Sequence, residues 1–190
     1  MRIEKKQLRE KILLQRSLLT KEEIKEKSKA IFDKLMNLPQ FSSSEVILCY
    51  IDFRNEVETL SFLHSCLSMG KRVAVPLVVK DQETNEMWAC EISNMENLII
   101  SHYGILEPKA GKYIKLEPGD IDLVVVPGSV FDIHRQRIGY GAGYYDVFLR
   151  QTRDCCYKVA VAFDLQVVEN VPVEQHDITM DKIITEGRMI

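Results

Sequence analysis

A glycine-rich segment between residues 127 and 146 has the residue types and spacing that most directly suggest ligand chemistry. After Arg137 it reads Gly139, Tyr140, Gly141, Ala142, Gly143, Tyr144, Tyr145 and Asp146. Because glycine has no Cβ, the main-chain N–H groups of such a segment can approach phosphate oxygens where a helix begins. The segment therefore predicts a loop that binds a phosphate-bearing ligand, although alternating glycines also suit a tight turn without a ligand.

Asp146 supplies a carboxylate in the first turn of a helix predicted over residues 144–150. There it can complement the positive end of the helix dipole. It can equally bind Mg2+, which takes one or two carboxylates together with water and nucleotide phosphates. Tyr144 and Tyr145 beside it are compatible with core packing and with ligand contact, so the residues alone leave both interpretations open.

Charged residues elsewhere in the chain give weaker signals. Lys5 and Arg9 lie four residues apart on one face of a predicted helix, a pattern that most often belongs to a solvated surface. His176 and Asp177 are adjacent, so their side chains do not face one another, and no serine or cysteine nucleophile motif accompanies them. We therefore interpret His176 as structural, and position alone assigns no function to the two cations.

Two amphipathic helices are predicted at the start of the chain. Apolar residues recur at helical spacing among charged ones over residues 4–17. Thr20 and Glu23 have the spacing of a capping box, which begins a second helix that ends before Pro39. We expect these helices to form an N-terminal pair.

Strand and helix patterns alternate after this pair. A strand over residues 45–50, a helix over 59–69 and a strand over 72–79 form a βαβ unit, which favours a parallel sheet. Residues 101–119 lack periodicity and predict an extended or looped excursion across the surface. Further strands are predicted over residues 87–92, 121–126, 158–163 and 182–185. The sequence thus predicts one α/β domain, residues 1–190, with a mainly parallel open sheet flanked by helices and the N-terminal helical pair.

Composition narrows the class of ligand. The 190 residues carry a net charge of −3 and no lysine-rich run, so the overall field attracts neither nucleic acid nor an anionic membrane. No apolar run approaches the roughly 20 residues that span a bilayer, and the first residues form no signal peptide. The five cysteines are odd in number and lack CxxC spacing, as expected for reduced thiols. We expect a cytoplasmic protein with a small soluble ligand.

Several separated motifs follow one another in a recognisable order along the whole chain. Besides the glycine-rich segment, they are Lys5, Leu8 and Arg9; Glu56, Val57, Glu58 and Thr59; Gly70, Lys71 and Pro76; Gly104, Ile105, Glu107 and Pro108; Phe131, Asp132 and Arg137; and Gln166, Pro172, His176, Asp177 and Asp181. One such motif alone would be weak, but the ordered set is specific. It resembles the 5-formyltetrahydrofolate cyclo-ligases, also called methenyltetrahydrofolate synthetases.

The resemblance implies an enzyme that uses ATP and Mg2+ to convert 5-formyltetrahydrofolate into 5,10-methenyltetrahydrofolate, with ADP and phosphate as the other products. In this chemistry the formyl oxygen is phosphorylated to an imidate phosphate, and the second folate nitrogen then attacks before phosphate departs. The protein positions the substrates and neutralises charge. The implied partners are small-molecule substrates of a monomer that binds neither nucleic acid nor membrane.

The resemblance also assigns roles by position. ATP would be bound by Lys5, Arg9 and the loop residues Gly139, Tyr140, Gly141, Ala142, Gly143, Tyr144, Tyr145, Asp146, Val147 and Phe148. Folate would be bound by Glu56, Gly143, Tyr144 and Tyr145. The reacting groups would be contacted by Tyr144, Tyr145 and Arg137. Mg2+ would be bound by Asp146 and Asp181.

Two positions depart from the family pattern. Val147 stands where many relatives have an arginine, so one phosphate-facing cation is missing, and Arg150 one turn later is a candidate replacement. Ala142 stands where small or basic residues occur in relatives, so no lysine reaches the nucleotide from this position. We expect these departures to change nucleotide affinity more than the type of reaction.

Two other functions compete with the ligase. A related α/β protein can sense a phosphorylated small molecule without turnover, but this sequence has no appended DNA-binding segment. Another enzyme on a similar sheet, such as a sugar-phosphate isomerase or a CoA transferase, is the third hypothesis. The sequence offers no recognisable glutamate for CoA-type acyl transfer.

Overall fold

The computed structural model describes residues 2–80, 85–101, 104–174 and 176–190. Its α-helices are α1 Arg2–Arg16, α2 Lys21–Met36, α3 Pro39–Ser43, α4 Leu60–Ser68 and α5 Tyr144–Leu149. Its strands are β1 Val46–Cys49, β2 Arg72–Lys80, β3 Asn85–Ile92, β4 Leu98–Ile100, β5 Leu106–Pro108, β6 Ile114–Leu116, β7 Leu123–Val126, β8 Val130–Asp132, β9 Arg137–Ile138, β10 Tyr157–Val161, β11 Val167–Val168 and β12 Lys182–Ile184. The helices and strands predicted from the sequence are present, with their ends shifted by a few residues.

The central sheet has seven strands in the order β12-β10-β7-β1-β2-β3-β6. Strand β1 pairs in parallel with β2 and β7, and β10 pairs in parallel with β7 and β12. Strand β3 is antiparallel to β2 and to the edge strand β6. The predicted α/β fold with a mainly parallel sheet flanked by helices is therefore confirmed.

Successive residues of β1 point to opposite faces of the sheet, and each face has its own apolar core. Ile47 packs in a cluster with Ile31 and Leu35 of α2, whereas Leu48 packs in a cluster with Phe148 of α5. All residues of β1 and β7 are buried, as expected for strands covered on both faces. Each fully buried aliphatic side chain contributes about 1.5–3 kcal/mol, which holds the strand ends in place.

The carboxyl ends of the central strands β1 and β7 lie side by side, because these strands pair in parallel. Helix α4 connects β1 to the parallel strand β2, as predicted, and Val46 pairs with Arg72. The chain leaves β1 at Tyr50 and β7 at Pro127, and both residues line the same cavity. In open parallel sheets, ligands bind at the carboxyl ends of the strands.

The extended or looped excursion predicted over residues 101–119 contains β5 and β6, strands that the sequence does not identify individually. Strand β5 pairs with β4, and β6 extends the central sheet beside β3. Strands of three residues are too short to display the period-2 alternation that identifies a strand in a sequence. Residues 102–103 of this segment lie outside the described residues.

The segment over residues 127–146 contains a short β-hairpin. Strand β8 pairs with β9, and β11 completes this small sheet on the other side of β8. Asp132 closes the hairpin, since its Oδ1 accepts hydrogen bonds from the main-chain N–H groups of His134 and Gln136, both at 2.9 Å. Arg137 therefore lies on a strand and is held more firmly than a loop residue.

Three smaller predictions also have an outcome in the structure. Thr20 Oγ1 accepts from the Glu23 N–H at 3.1 Å, and Glu23 Oε2 accepts from the Thr20 N–H at 2.8 Å, which confirms the capping box. The cysteines are free thiols, four of them buried and Cys155 exposed. Among the described helices, none combines the length and the apolar character needed to cross a membrane.

Candidate functional site

Two cavities meet at the glycine-rich segment, and they differ in chemistry. The apolar cavity, of about 790 Å³, has walls formed mainly by Tyr50, Phe53, Pro76, Val78, Met87 and Leu106. The cationic cavity, of about 920 Å³, is lined by Lys5, Lys6, Arg9, Arg137 and Arg150. Four residues line both cavities, namely Arg137, Gly139, Gly143 and Asp146. The shared wall is therefore where a ligand in one cavity would meet a ligand in the other.

Glycines bring the main chain of this wall close to its neighbours. Gly141 has φ of 109° and Gly143 has φ of 74°, a region that side chains other than glycine rarely adopt. Gly143 immediately precedes α5, and an added Cβ there would meet no atom, so its backbone angle is what requires glycine. An added Cβ at Gly141 would lie 3.8 Å from Arg9 Nη1. The loop thus passes directly beside an arginine of α1.

Arg137 and Asp146 form an ion pair at the centre of the shared wall. Arg137 Nη2 donates to Asp146 Oδ1 at 2.8 Å, and their side chains are only 4% and 16% exposed. The same carboxylate oxygen accepts from the Ile178 N–H at 3.3 Å. The Nε atom of Arg137 is buried and bonds to no residue that the structure describes. A buried N–H without an acceptor is costly, so this guanidinium retains a donor for a ligand.

Tyr145 lies against this pair, with its ring 6.0 Å from the guanidinium carbon of Arg137. Its hydroxyl is buried and has no partner among the described residues. Burial raises the pKa of this phenol well above its usual value, Cys49 and Glu56 raise it further, and Arg137 opposes them. The hydroxyl is therefore protonated and can donate. Tyr144 lines the apolar cavity, 5.9 Å from the Lys80 ammonium.

Glu56 lies in the wall of the apolar cavity, and both of its oxygens accept hydrogen bonds. The Tyr140 hydroxyl donates to Oε1, and the Phe53 N–H donates to Oε2 at 2.9 Å. Burial raises the pKa of Glu56, and the hydrogen bond from Tyr140 and the charge of Arg16 oppose that rise without cancelling it. The carboxylate is thus a desolvated acceptor.

Arg16 completes this group, although sequence reasoning missed it. It is 3% exposed, and it donates from Nη1 to the Tyr140 hydroxyl at 2.8 Å and from Nη2 to the Arg54 carbonyl at 3.0 Å. Arg54 and Asn55 have φ of 50° and 58°, so this turn is held in the left-handed region before Glu56. The spacing of Lys5, Arg9 and Arg16 on α1 was the available signal, since positions 5, 9 and 16 share one helical face.

Lys5 and Arg9 lie in the cationic cavity, each bonded to its wall. Lys5 Nζ is 2.6 Å from Asp177 Oδ2 and 3.5 Å from Glu174 Oε2. Arg9 Nε donates to the Gly139 carbonyl at 2.9 Å. Burial acts to raise the pKa of Asp177, but the Lys5 hydrogen bond and the Glu174 N–H outweigh it, and the pKa is lowered.

A cluster of Glu174, His176 and Asp177 has ligand atoms within 4.8 Å of one another. The Lys5 ammonium already pairs with both of its carboxylates, and the His176 side chain is 60% exposed. Among the carboxylates of the two cavities, Asp146 lies where the cavities meet, and a hard carboxylate oxygen there fits an Mg2+ ion that also binds nucleotide phosphates.

Several sequence-predicted residues lie away from their expected places. Asp181 precedes β12 at the amino end of the sheet, where its Oδ2 accepts from the Lys158 N–H at 2.7 Å, and it lines neither cavity. The structure therefore does not bring it to Asp146. Phe148 is 3% exposed and belongs to the apolar core, because it is on the inner face of α5. Tyr140 and Ala142 line the apolar cavity and not the cationic one.

Of the two positions that depart from the family pattern, Ala142 lines the apolar cavity and Val147 lines the cationic one. Val147 is 56% exposed and lines it, so the missing cation would have faced this space. Arg150 also lines it and donates from Nη2 to the His176 carbonyl at 2.5 Å. Arg150, the candidate replacement, thus lines the cavity but is hydrogen-bonded to its wall.

Comparison with known proteins places this geometry in a family. The model of the 5-formyltetrahydrofolate cyclo-ligase family matches residues 2–186. The chain is 29% identical over 180 residues to the probable 5-formyltetrahydrofolate cyclo-ligase of Caenorhabditis elegans, covering 90% of this chain and 87% of that protein. It is 27% identical over 177 residues to the 5-formyltetrahydrofolate cyclo-ligase of Escherichia coli K12, covering 92% and 96%.

A solved structure agrees with the sequence comparisons. The NMR structure of Aquifex aeolicus 5,10-methenyltetrahydrofolate synthetase has a TM-score of 0.83 and 32% identity, and the likeness covers 97% of this chain and 91% of that one. Both the sequence and the fold are thus shared along nearly the whole chain. The protein belongs to the 5-formyltetrahydrofolate cyclo-ligase family, a family of ligases.

Proposed function

We propose that the protein converts 5-formyltetrahydrofolate and ATP into 5,10-methenyltetrahydrofolate, ADP and phosphate. The observation that carries this proposal is the wall formed by Arg137, Gly139, Gly143 and Asp146, which lines both the apolar and the cationic cavity. A reaction between a flat aromatic ligand and a polyphosphate needs this arrangement, since each ligand suits one cavity and their reacting ends meet at the wall.

The apolar cavity suits the folate. Its hydrophobic walls can cover the pterin and benzoyl rings, while Glu56 offers carboxylate oxygens to the amino and ring N–H groups of the pterin. Tyr144 and Tyr145 line the end of the cavity near the glycine-rich loop. We infer that the formyl group lies at this end.

The cationic cavity suits the triphosphate of ATP. Lys5 and Arg9 supply positive charge from α1, and the loop from Gly139 to Gly143 supplies main-chain groups near the beginning of α5. Mg2+, when bound, would neutralise phosphate charge, and Asp146 is the carboxylate that would hold it. Arg150 adds charge at the rim and partly replaces the cation missing at Val147.

The reaction makes and breaks bonds at two centres. The formyl oxygen attacks the γ-phosphorus, the bond to the bridging oxygen breaks, and ADP leaves. The N10 atom then attacks the formyl carbon and loses its proton. Phosphate departs with the former formyl oxygen, and the methenyl bridge between N5 and N10 remains.

Arg137 and Tyr145 are the side chains placed to assist these steps. Arg137 retains its Nε donor at the shared wall, where negative charge would develop on the transferred phosphoryl group. The Tyr145 hydroxyl, kept protonated by burial, can donate to the formyl oxygen as phosphate departs. Both groups are desolvated, so their interactions with charge are stronger than in water.

The test is to mix purified protein with ATP, Mg2+ and 5-formyltetrahydrofolate and to follow the near-ultraviolet absorbance of the methenyl product. We expect one ADP for each methenyl group formed and no product with a nonhydrolysable ATP analogue. ADP release without methenyl product would indicate a different phosphate acceptor. Absence of both products, with folate and ATP each bound, would contradict the proposed reaction.

A further inference from the structure

Helix α1 connects the two cavities through a single face. Lys5 and Arg9 reach the cationic cavity, Ile12 packs in a small core with Val130 and Ile138, and Arg16 reaches the apolar cavity. Arg16 is the most deeply buried of these cations, at 3% exposure. Burying a charged guanidinium is costly unless it is hydrogen-bonded, so the partners of Arg16 indicate what it does.

The hydrogen bonds of Arg16 have only one possible direction. A guanidinium donates and cannot accept, so the Tyr140 hydroxyl must accept from Arg16 Nη1. That hydroxyl therefore uses its own proton to donate to Glu56 Oε1. Glu56 Oε2 likewise accepts, from the Phe53 N–H. The ionised Glu56 carboxylate can only accept, and the bonds from Arg16 through Tyr140 orient the Tyr140 proton toward it and hold it in place.

We propose that Arg16 is a positioning residue that sets the hydrogen-bond polarity of the apolar cavity, so that Glu56 selects a ligand edge carrying N–H donors. This inference rests on the proposed function and deepens it, because the pterin has such an edge in its amino and ring N–H groups. A ligand edge with acceptors at the same positions would face carboxylate oxygens and lose affinity.

Arg16 also holds the polypeptide around Glu56. Its Nη2 donates to the Arg54 carbonyl, in the left-handed turn that leads into Glu56. A lysine can donate to one of these partners but lacks the planar fork that reaches both. We therefore expect Arg16→Lys to restore part of the function lost in Arg16→Met, which keeps a long side chain of apolar character at this buried position.

The main experiment measures steady-state kinetics of Arg16→Met and Arg16→Lys for each substrate separately. We expect Arg16→Met to raise the KM for 5-formyltetrahydrofolate about 10- to 30-fold and to leave the KM for ATP within about twofold, consistent with the loss of a charge-assisted network. The folate KM of Arg16→Lys should lie between those of the wild type and Arg16→Met. Equal increases in both KM values, or an unchanged folate KM, would overturn the proposal.

A second measurement uses a substrate analogue in which a methyl group replaces the pterin amino group. The wild-type protein should prefer the natural substrate about 100-fold in kcat/KM, and Arg16→Met should reduce that preference to about tenfold or less. A purely structural role for Arg16 would lower the melting temperature without changing the preference. Retention of the full preference in a folded variant would contradict the inference.

Tyr140→Phe tests the same hydrogen bonds, because the Tyr140 hydroxyl lies between Arg16 and Glu56. Tyr140 is 48% exposed as a residue, so the loss of its hydroxyl should leave the fold intact even if Arg16→Met unfolds. We expect the same rise in folate KM, and the double variant should be no worse than either single one. Additive effects would mean that Arg16 and Tyr140 act separately.

Calorimetric titration of 5-formyltetrahydrofolate without ATP separates this inference from the proposed reaction. If the wild-type protein binds folate but forms no methenyl product, the reaction is wrong and the Arg16 comparison still applies to the binding constant. If the wild-type protein neither binds nor converts folate, both proposals fail. Matching binding constants for the wild type and Arg16→Met would reject the inference alone.

Discussion

The apolar and cationic cavities use their charged residues in opposite ways. In the apolar cavity, Arg16 and Tyr140 hold the Glu56 carboxylate as an acceptor, and no described cation forms an ion pair with it. In the cationic cavity, Lys5 is already paired with Asp177 at 2.6 Å. Under the proposed function, the first cavity is prepared for its ligand, whereas Lys5 in the second would exchange Asp177 for a phosphate.

The proposed function accounts for this difference through the ligand assigned to each cavity. A pterin is neutral and recognised by the direction of hydrogen bonds, so a fixed acceptor gives selectivity. A triphosphate is highly charged, and unpaired cations around an empty cavity would repel one another. Internal pairs such as Lys5 with Asp177 stabilise the unliganded protein and compete with phosphate binding. Variants in the apolar cavity should therefore change mainly the folate KM, and variants in the cationic cavity mainly the ATP KM.

The largest effect is expected at the shared wall. Arg137→Lys keeps the charge but loses the fork and the Nε donor, and we expect kcat to fall about 100-fold or more at saturating concentrations of both substrates. A matched control is Arg153→Lys, because Arg153 also pairs with an aspartate at 2.7 Å but is 47% exposed and lines neither cavity. That control should leave kcat unchanged.

Arg137→Met should also reduce stability, in contrast to the control position. Removing one partner of a buried ion pair costs about 3–5 kcal/mol, since it leaves Asp146 without its counter-charge. Chemical denaturation measures this loss. If Arg137→Lys retains wild-type kcat, the shared wall does not carry the reaction.

The second effect belongs to the apolar cavity. Glu56→Gln removes the carboxylate, and because hydrogen bonds to charged groups contribute about 1.5–3 kcal/mol, the folate KM should rise roughly 10- to 100-fold. Glu58→Gln is the matched control, an exposed acid two residues away that lines neither cavity. A rise in the ATP KM of Glu56→Gln, or an equal effect in Glu58→Gln, would remove the distinction between the cavities.

The pH dependence of folate binding should follow from the same residue. Burial raises the pKa of Glu56, so the carboxylate becomes protonated at a higher pH than an exposed glutamate. We expect the folate KM to rise as pH falls through this pKa. The free energy of unfolding should also increase as pH falls, because protonation of a group with a raised folded-state pKa stabilises the folded protein. This stabilisation is lost as pH rises through that pKa. Glu56→Gln should abolish the pH effect on KM.

The third effect belongs to the cationic cavity. Lys5→Ala and Arg9→Ala should each raise the ATP KM about five- to tenfold and leave the folate KM unchanged, since each removes one of the proposed phosphate contacts. Added salt should weaken ATP binding to the wild type more than to either variant. Lys11→Ala, an exposed position on α1 outside both cavities, is the control. If thermal unfolding changes as much as ATP binding does, the two cations are structural.

The sequence predicts the sheet well because buried strands carry a local signal. The apolar run at residues 121–126 and the βαβ unit are readable without knowledge of long-range contacts. Strands β8 and β9 are missed because they comprise only three and two residues, and their pairing depends on the Asp132 turn. A hairpin with strands this short leaves no periodic pattern in the sequence.

The candidate site is predicted less completely than the fold. Family resemblance selects Lys5, Arg9 and Glu56, and the structure places each of them in a cavity. The resemblance does not indicate that Tyr140 bonds to Glu56, because 84 residues separate them and only the folded chain brings them together. Asp181 is predicted from its motif position to bind Mg2+, but it accepts a hydrogen bond from the Lys158 N–H and lines neither cavity.

The smallest expected effect is a gain, and it tests the exchange of partners most directly. Asp177→Asn removes the charge that holds Lys5, so less free energy is needed to transfer this ammonium to a phosphate. We expect the ATP KM to fall about two- to threefold, with the folate KM unchanged, because Glu174 still attracts Lys5 from 3.5 Å.

The difference in stability between the wild type and Asp177→Asn should depend on pH, because the pKa of Asp177 is lowered in the folded wild type. In the wild type, the ionised carboxylate stabilises the folded protein above its unfolded pKa, and this contribution is lost as pH falls through the lowered folded pKa. The melting temperatures of the wild type and Asp177→Asn should therefore differ at neutral pH and converge in acid. An ATP KM that rises in Asp177→Asn would mean that Asp177 supports phosphate binding, and the cationic cavity would then be as prepared for its ligand as the apolar one.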